Sequence, residues 1–188
     1  MPSNKVRFGL KNVYYAMATI NEETNVATYG APVHIAGAVN INLEMQGEQT
    51  NFRADNIDYW VGNANNGYEG SLEMALFPDQ FKIDALGYVA NDDGVLFEDA
   101  GATGRPFALM FEFSGDAHET RHVLYNCIAS RPAVNGSTTE ETITPETETV
   151  NITAVAIHNA TLNKDVVKAS VTPTQATQYS GWFTQVYQ

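Results

Sequence analysis

The sequence predicts a mainly β protein in which two packed sheets, forming a sandwich or a barrel-like sandwich, are flanked by one short α-helix. Apolar and polar residues alternate along several segments, most cleanly over residues 39–46, as expected of strands with one buried face. Clusters of Asn, Asp and Gly separate these segments and mark turns. A helix start signal and a helix stop signal flank only residues 78–86. About eight or nine strands and one helix favour two packed layers.

The helix over residues 78–86 is predicted from its ends and from one apolar side. Pro78 suits the first helical position, Asp79 complements the positive end of the helix dipole, and Gly87 suits a left-handed residue after the last turn. A helix this short is marginal alone in water, so it needs a sheet to pack on. The residues on its apolar side are Phe77, Phe81, Ala85 and Leu86, of which Phe77, Phe81 and Leu86 are the candidate core residues.

The first third of the chain predicts three strands and one long loop. Residues 13–20 are rich in aromatic and β-branched side chains and end at a polar turn over residues 21–25. A second strand has one face to bury and one to expose. Its buried face comprises Val39, Ile41, Leu43 and Met45, and its solvated face Asn40, Asn42, Glu44 and Gln46. The third strand covers residues 57–61.

Residues 46–56 are predicted to form the long loop, because they are polar except for Phe52 and Ala54. Long loops in compact domains are often functional or mobile. Phe52 and Arg53 at its tip are therefore candidate contact residues, and a mobile surface loop without a partner is the alternative.

The remaining elements follow from turn signals and alternation. An Asn66-Gly67 hairpin signal precedes a strand over residues 68–77, in which Leu72, Met74 and Leu76 alternate with polar residues. A half-buried strand at 107–113, with Ala108, Met110 and Glu112 outward, pairs with the strand at 121–129. The other predicted segments are a hairpin around 91–94, a Thr/Glu-rich solvated loop at 131–146, strands at 147–158 and 166–171, and an extended C-terminal segment at 172–188 with exposed aromatics.

Size and composition predict a single domain spanning residues 1–188. The chain has 188 residues, 44% of them hydrophobic, which is ample for a buried core. Its net charge of −12 argues against tight binding of nucleic acid, because an acidic surface repels phosphates. No apolar run resembles a signal peptide or a membrane helix, so we expect a soluble protein made in the cytoplasm. Cys127 is the only cysteine and is expected in the core.

One motif suggests catalysis and has to be tested against its context. Residues 118–122 read His-Glu-Thr-Arg-His, which matches the H-E-x-x-H zinc signature. Both imidazoles reach one zinc ion only on a helix, since on a strand they are separated by about 13 Å. The motif lies between a Ser-Gly-Asp turn and an apolar strand, which predicts a hairpin. We therefore expect no metal, no cofactor and no enzymatic activity.

The order of several segments resembles the major tail protein family of bacteriophages with long, non-contractile tails. The resemblance spans roughly residues 6–171 and is carried by order and spacing. The segments are the strand Lys11-Asn12-Val13-Tyr14-Tyr15-Ala16, the block 70–77 leading into Pro78-Asp79-Gln80-Phe81, Leu86-Gly87-Tyr88, Asp92-Asp93-Gly94-Val95, Arg105-Pro106-Phe107-Ala108-Leu109 and Thr153-Ala154.

The resemblance implies a structural protein of the virion tail. It implies hexameric rings that stack into a hollow tube through which DNA passes, and three partners: a tape-measure protein, a tail terminator and a distal tail protein. In this family the long loop reaches a neighbouring subunit or ring, and the terminal segments, here 1–11 and 172–188, contribute to stacking. The candidate contact residues are Gln46, Gly47, Glu48, Gln49, Thr50, Asn51, Phe52, Arg53, Trp182 and Phe183; the candidate lumen residues are Asn40, Asn42 and Glu44.

Two other classes of function stay open at the level of sequence. A tube subunit of a contractile tail or secretion machine would share the fold and meet a sheath on its outer surface. A β-sandwich adhesin or receptor-binding decoration protein would use the Thr-rich loop and the C-terminal aromatics as a binding surface. Rings or tubes of constant width distinguish a tube subunit from a monomeric adhesin.

Overall fold

A computed structural model describes residues 8–136, 138 and 145–188. Within them the chain forms fifteen strands and two helices. In chain order these are β1 (Leu10–Asn21), β2 (Val26–Tyr29), β3 (Val33–Ile35), β4 (Ala38–Gln46), β5 (Gln49–Ala54), β6 (Ile57–Asn63), β7 (Gly67–Met74), α1 (Asp79–Leu86), β8 (Val89–Ala90), β9 (Leu96–Phe97), β10 (Phe107–Phe113), β11 (Arg121–Ala129), β12 (Glu148–Val155), β13 (Ile157–Asn159), β14 (Lys164–Val166), β15 (Lys168–Val171) and α2 (Ala176–Gly181).

The main sheet has nine strands and is antiparallel throughout. Its path runs β2-β1-β10-β11-β12-β7-β4, while β3 pairs with β1 and β15 pairs with β11. The sheet curls so that β4 comes close to β1, but no hydrogen-bonded ladder closes it into a barrel. Three separate pairs, β5-β6, β8-β9 and β13-β14, complete the fold. The predicted mainly β, sandwich-like class is confirmed.

The curled sheet and α1 enclose the first of two apolar clusters. Phe77 and Phe81 are buried, and their ring centres lie 5.1 Å apart, while Phe81 meets Phe107 edge-on at 5.7 Å. Leu86 is also buried at the end of the helix. The predicted helix is confirmed, although it begins one residue later than expected. Pro78 is its N-cap, with an extended ψ of 145° that excludes it from the first turn, and Gly87 has the expected left-handed φ of 78°.

Two polar contacts attach α1 to strands on opposite sides of the sheet. The hydroxyl of Tyr15 on β1 donates to Asp84 at 2.9 Å. Lys82 forms an ion pair with Glu148 on β12 at 3.1 Å, and the same carboxylate accepts the backbone N–H of Phe77 at 2.7 Å. The helix is therefore linked to strands on either side of the β10-β11 pair.

A second apolar cluster covers the other face of β10 and β11. It includes Ala108, Met110, Val123 and Trp182. The prediction that β10 exposes one face is therefore wrong, since Ala108, Met110 and Glu112 are all buried. The cover is the C-terminal region, which sequence analysis described as extended with exposed aromatics. It instead contains α2, and Trp182 is only 2% exposed. The residues of α2 lack apolar helical periodicity, so tertiary packing determines this helix.

The predicted loop at residues 46–56 is the second correction. Residues Gln49–Ala54 form β5, which pairs with β6 across a two-residue turn at Asp55 and Asn56. Both turn residues have positive φ angles, 51° and 63°, which Asp and Asn tolerate better than most residues. The predicted hairpin signal at Asn66-Gly67 is wrong, because this dipeptide joins β6 to β7 instead of closing a hairpin.

Two smaller expectations also differ, and a third is only partly covered by the structure. Val39 lies at a register shift of β4, between Ala38 and Asn40, and is exposed; Met45, next to the end of β4, is exposed as well, while Ile41 and Leu43 are half-buried as predicted. β7 ends at Met74, so Leu76 lies outside the strand and is exposed. Of the predicted loop at 131–146, residues 137 and 139–144 lie outside the described residues.

Candidate assembly surfaces

The β5-β6 hairpin, residues 49–63 and here called the arm, extends the ladder of β4 and β7. The backbone N–H of Asn66 donates to the carbonyl of Gln46 at 2.8 Å, and that of Ala64 donates to Glu48 at 3.0 Å. Between them Gly47 adopts a φ of 155°, and a Cβ there would lie 2.0 Å from the carbonyl oxygen of Ala64. Glycine at this position therefore allows the close approach of the two chains where the arm begins.

The register divides the arm into an apolar face and a polar face. Directly paired residues of antiparallel strands share a face. The apolar face contains the pairs Thr50–Gly62, Phe52–Trp60 and Ala54–Ile57, and the opposite face contains Gln49–Asn63, Asn51–Val61 and Arg53–Asp58. Arg53 and Asp58 form an ion pair at 3.3 Å. A register shift next to Phe52 leaves Tyr59 as the extra residue of β6.

Large apolar side chains of the arm are exposed in the isolated chain. Phe52, Ile57 and Trp60 on the apolar face are 59%, 61% and 56% exposed. The Trp60 ring lies over Gly62, where a Cβ would meet its Cη2 atom at 2.2 Å. A two-stranded hairpin is marginal alone in water, and a contiguous exposed apolar surface marks an interaction site. The apolar face can thus supply most of the burial in a protein contact.

The structure places the predicted loop contacts on different sides of the arm. Phe52 belongs to the apolar face, and Arg53 belongs to the polar face. The sequence predicts an ordinary strand of the domain at Ile57, Tyr59 and Trp60, so these three residues were not among the predicted contacts. Their signal was present, since three large apolar residues within four positions follow a polar stretch.

A second candidate surface is the polar side of β4, β7 and β12. Registers between these strands align Glu44 with Glu69, Asn40 with Glu73, and Asn42 with Ser71. On the far side of β7, three residues of β12 continue the same face, namely Thr149, Asn151 and Thr153. None of the residues in the three strands is basic. Asn40, Asn42 and Glu44, the predicted lumen residues, are exposed on this surface; Glu69 and Glu73 were missed because their pairing with β4 is not local in sequence.

The C-terminal residues form a third surface that is attached to the sheet by Arg121. Its guanidinium carbon lies 3.7 Å from the ring centre of Tyr179 and 4.8 Å from that of Phe183. Its Nε donates to Glu112 at 2.9 Å, and Lys11 contacts the same carboxylate at 3.3 Å. Phe183 is thus half-buried within its own chain, and burial chiefly raises the pKa of Tyr179.

A protein-family comparison decides the class of protein. The model of the phage tail tube protein family matches residues 2–187. The chain belongs to this family. This tail tube protein is accordingly a structural component of the phage tail and of the virion. No curated protein matches its sequence.

Similar chains among the solved structures include one from the cryo-EM structure of the anti-feeding prophage baseplate, 6-fold symmetrised. The two chains are 12% identical, with a TM-score of 0.45 over 92% of this chain and 98% of that chain.

The H-E-x-x-H residues of the tail tube protein lie in a turn and at the start of β11, so the predicted hairpin context is confirmed. The carboxylate of Asp116 organises the turn by accepting the backbone N–H groups of His118 at 2.9 Å and Thr120 at 3.1 Å. Within residues 8–136, 138 and 145–188, no three His, Cys, Asp or Glu side chains converge as a metal site. Neither helix of that part of the chain has the length and apolarity to cross a bilayer.

Proposed function

We propose that this protein is the major tail tube subunit of a long, non-contractile phage tail. In this proposal residues 1–188 form one domain that assembles into hexameric rings, and the rings stack into a hollow tube through which DNA is ejected. The observation that carries the proposal is the exposed apolar face of the arm in a chain of the tail tube family. The contact residues are those of the arm and its base, 46–53, together with Phe183.

Assembly would remove the apolar face of the arm from water. Complete burial of a large apolar side chain stabilises by about 1.5–3 kcal/mol, so covering half-exposed Phe52, Ile57 and Trp60 contributes several kcal/mol per subunit. The neighbouring subunit supplies the cover. Trp182, in contrast, is used within its own chain, where its Nε1 donates to the carbonyl of His122 at 3.4 Å.

We assign the polar side of β4, β7 and β12 to the lumen. Asn40, Asn42 and Glu44 lie on it beside Glu69 and Glu73, and no basic side chain offsets their charge within these strands. Carboxylates repel DNA phosphates over a screening length of about 10 Å, so DNA slides past this surface instead of binding to it. The tube ends would contact a tail terminator and a distal tail protein, and the tube interior would contact a tape-measure protein.

Electron microscopy tests the proposal directly. Concentrated protein, alone and with its tape-measure partner, should form tubes of constant width whose end views have sixfold symmetry. Persistent monomers that bind cells or glycans would contradict it and favour an adhesin. A sheath protein that coats the tubes would assign the protein to a contractile tail instead.

A further inference from the structure

The main sheet divides at β11 and leaves an open cleft. Residues Arg121–Leu124 of β11 pair with β15, whereas Asn126–Ala129 pair with β12. The ends of β4 and β7 therefore face the first half of β11 across a gap of about 400 Å³. Six of its nine lining residues are apolar or aromatic and the other three are polar; the six are Ile41, Leu43, Tyr68, Phe111, Phe113 and Leu124. A gap of this size and lining suits a pair of large apolar side chains.

One positive charge stands at the rim of this cleft. The ammonium of Lys168 lies 5.2 Å from the ring centre of Tyr68, and Lys168 is exposed. Basic residues are scarce in the chain, with 10 Lys and Arg against 22 Asp and Glu. An occupant with aromatic side chains next to a carboxylate would complement both the lining and the rim.

The tip of the arm has these properties. Phe52 and Trp60 present exposed rings, and Asp55 in the turn adds an exposed carboxylate three residues from Phe52. The arm of the same chain cannot fold back into the cleft without breaking its continuity with β4 and β7. The arm leaves the sheet beside the cleft. The hydrogen bonds from Asn66 to Gln46 and from Ala64 to Glu48 hold its base as a continuation of β4 and β7. A second copy of the chain can supply the occupant.

We propose that the arm tip of one subunit inserts into the β4-β7-β11 cleft of its neighbour, with Phe52 and Trp60 on the apolar lining and Asp55 beside Lys168. The contact joins two different surfaces, so it is heterologous and can propagate around a ring or between rings. This assignment rests on the proposed tube function.

A photo-crosslinking amino acid placed at Phe52 tests the contact in assembled tubes. Cross-links should map to residues 41–43, 68, 111–113 or 122–124 of another copy. The same probe at Glu22, in the exposed turn between β1 and β2, is the control and should give few cross-links to those residues. A probe at Leu43 in the cleft wall should in turn label residues 52–60 of another copy.

The outcomes distinguish a failure of the cleft contact from a failure of the proposed tube function. Tubes in which position 52 labels other surfaces, or in which position 43 labels residues 1–7 or a partner protein, overturn the cleft contact alone. Cross-links within one chain also overturn it. Failure of the unmodified protein to form any tube, with or without its tape-measure partner, overturns the tube function.

A double-mutant cycle tests the charge at the rim. Asp55→Asn preserves a residue type that accepts the positive φ of the turn, and Lys168→Gln removes the opposing charge. Each change should raise the critical concentration for assembly about two- to fivefold, and the double variant should raise it no further. Lys164→Gln, at an exposed lysine of β14, is the control and should leave it unchanged. Additive effects of Asp55→Asn and Lys168→Gln would refute the pairing.

Discussion

The guanidinium of Arg121 on β11 stacks 3.7 Å from the ring centre of Tyr179 on the C-terminal helix, so it helps to hold this helix against the sheet. The same group neutralises Glu112, whose side chain is 7% exposed. Arg121→Ala should lower the free energy of unfolding by about 3 kcal/mol, because it leaves a buried carboxylate with weaker partners. Arg121→Lys should recover part of the loss, since lysine keeps the charge but lacks the planar stacking group.

Urea unfolding and the near-ultraviolet circular dichroism of Trp182 measure this effect. Arg131→Ala, which removes an exposed ion pair with Glu98, is the control and should leave the unfolding midpoint almost unchanged. Equal midpoints for Arg121→Ala and Arg131→Ala would show that the buried pair does not anchor the helix.

Phe81 lies at the centre of the first apolar cluster. Phe81→Ala should cost about 3–5 kcal/mol of unfolding free energy, because no neighbour can fill the space beside Phe77 and Phe107 without moving α1. Leu76→Ala is a suitable comparison, since Leu76 is close in sequence but 64% exposed and should change stability by less than about 0.5 kcal/mol. Chemical denaturation of both variants decides whether the helix has this core role.

The apolar face of the arm should matter for assembly and not for the monomer. Phe52→Ser with Trp60→Ser should leave the thermal midpoint of the monomer within about two degrees, because both side chains are more than half exposed. The same change should abolish tubes, since it removes the surface that a neighbour covers. Electron microscopy and sedimentation check this, with Glu22→Ser, in the exposed turn between β1 and β2, as the control. Normal tubes from the Phe52 and Trp60 variant would remove the arm from the assembly contact.

Replacing one of two opposed glutamates on the polar face by lysine should stabilise the protein but impair DNA ejection. Glu44 and Glu69 pair directly across β4 and β7, and like charges in that position destabilise. Glu44→Lys should therefore raise the free energy of unfolding by about 0.2–1 kcal/mol. In phage particles, tubes should form but DNA ejection should slow, because lysine attracts phosphate. Glu44→Gln serves as the neutral control, and an unchanged ejection rate for Glu44→Lys would place this face outside the lumen.

Alkaline pH should unfold the protein. Burial raises the pKa of Tyr125 to about 12 from 10.0, and burial raises the pKa of Cys127 to about 12 from 9.0. Burial also raises the pKa of Tyr15 and Tyr29. Because these pKa values are higher in the native than in the unfolded state, their stabilisation is complete below about pH 9 and is lost as pH rises toward 12. Urea titrations at stepped pH should show this decline in unfolding free energy. Tyr125→Phe should reduce the slope of unfolding free energy against pH, above pH 10, by the equivalent of about one proton.

Local signals predicted the elements whose stability depends on neighbours in sequence. Gly87 ends α1 where its left-handed backbone requires glycine, and the alternation over Val150, Ile152 and Ala154 matches the buried face of β12. Long-range packing determined the features that local signals did not predict. Met110 is buried in the cluster that includes Trp182 of the C-terminal region, and nothing near Met110 in the sequence indicates that this region packs there. Likewise, the charge of the polar face depends on the register that brings Glu69 beside Glu44.

The arm shows why composition misled at residues 46–56. Gln49, Thr50 and Asn51 have polar side chains typical of loops, yet their backbone pairs with Asn63, Gly62 and Val61. The turn that makes this possible, Asp55-Asn56, lacks the glycine that usually signals a two-residue hairpin. Partners three to fourteen positions later therefore convert a polar segment into a strand.

Because β10 and β11 separate two apolar clusters, the molecule has two sides that can be redesigned independently. Phe81 belongs to one cluster and Trp182 to the other, and no side chain is shared between them. Energetic effects of substitutions on the two sides should add. Core substitutions around Trp182 could thus be varied while α1, the arm and the acidic strands keep their native sequence and packing.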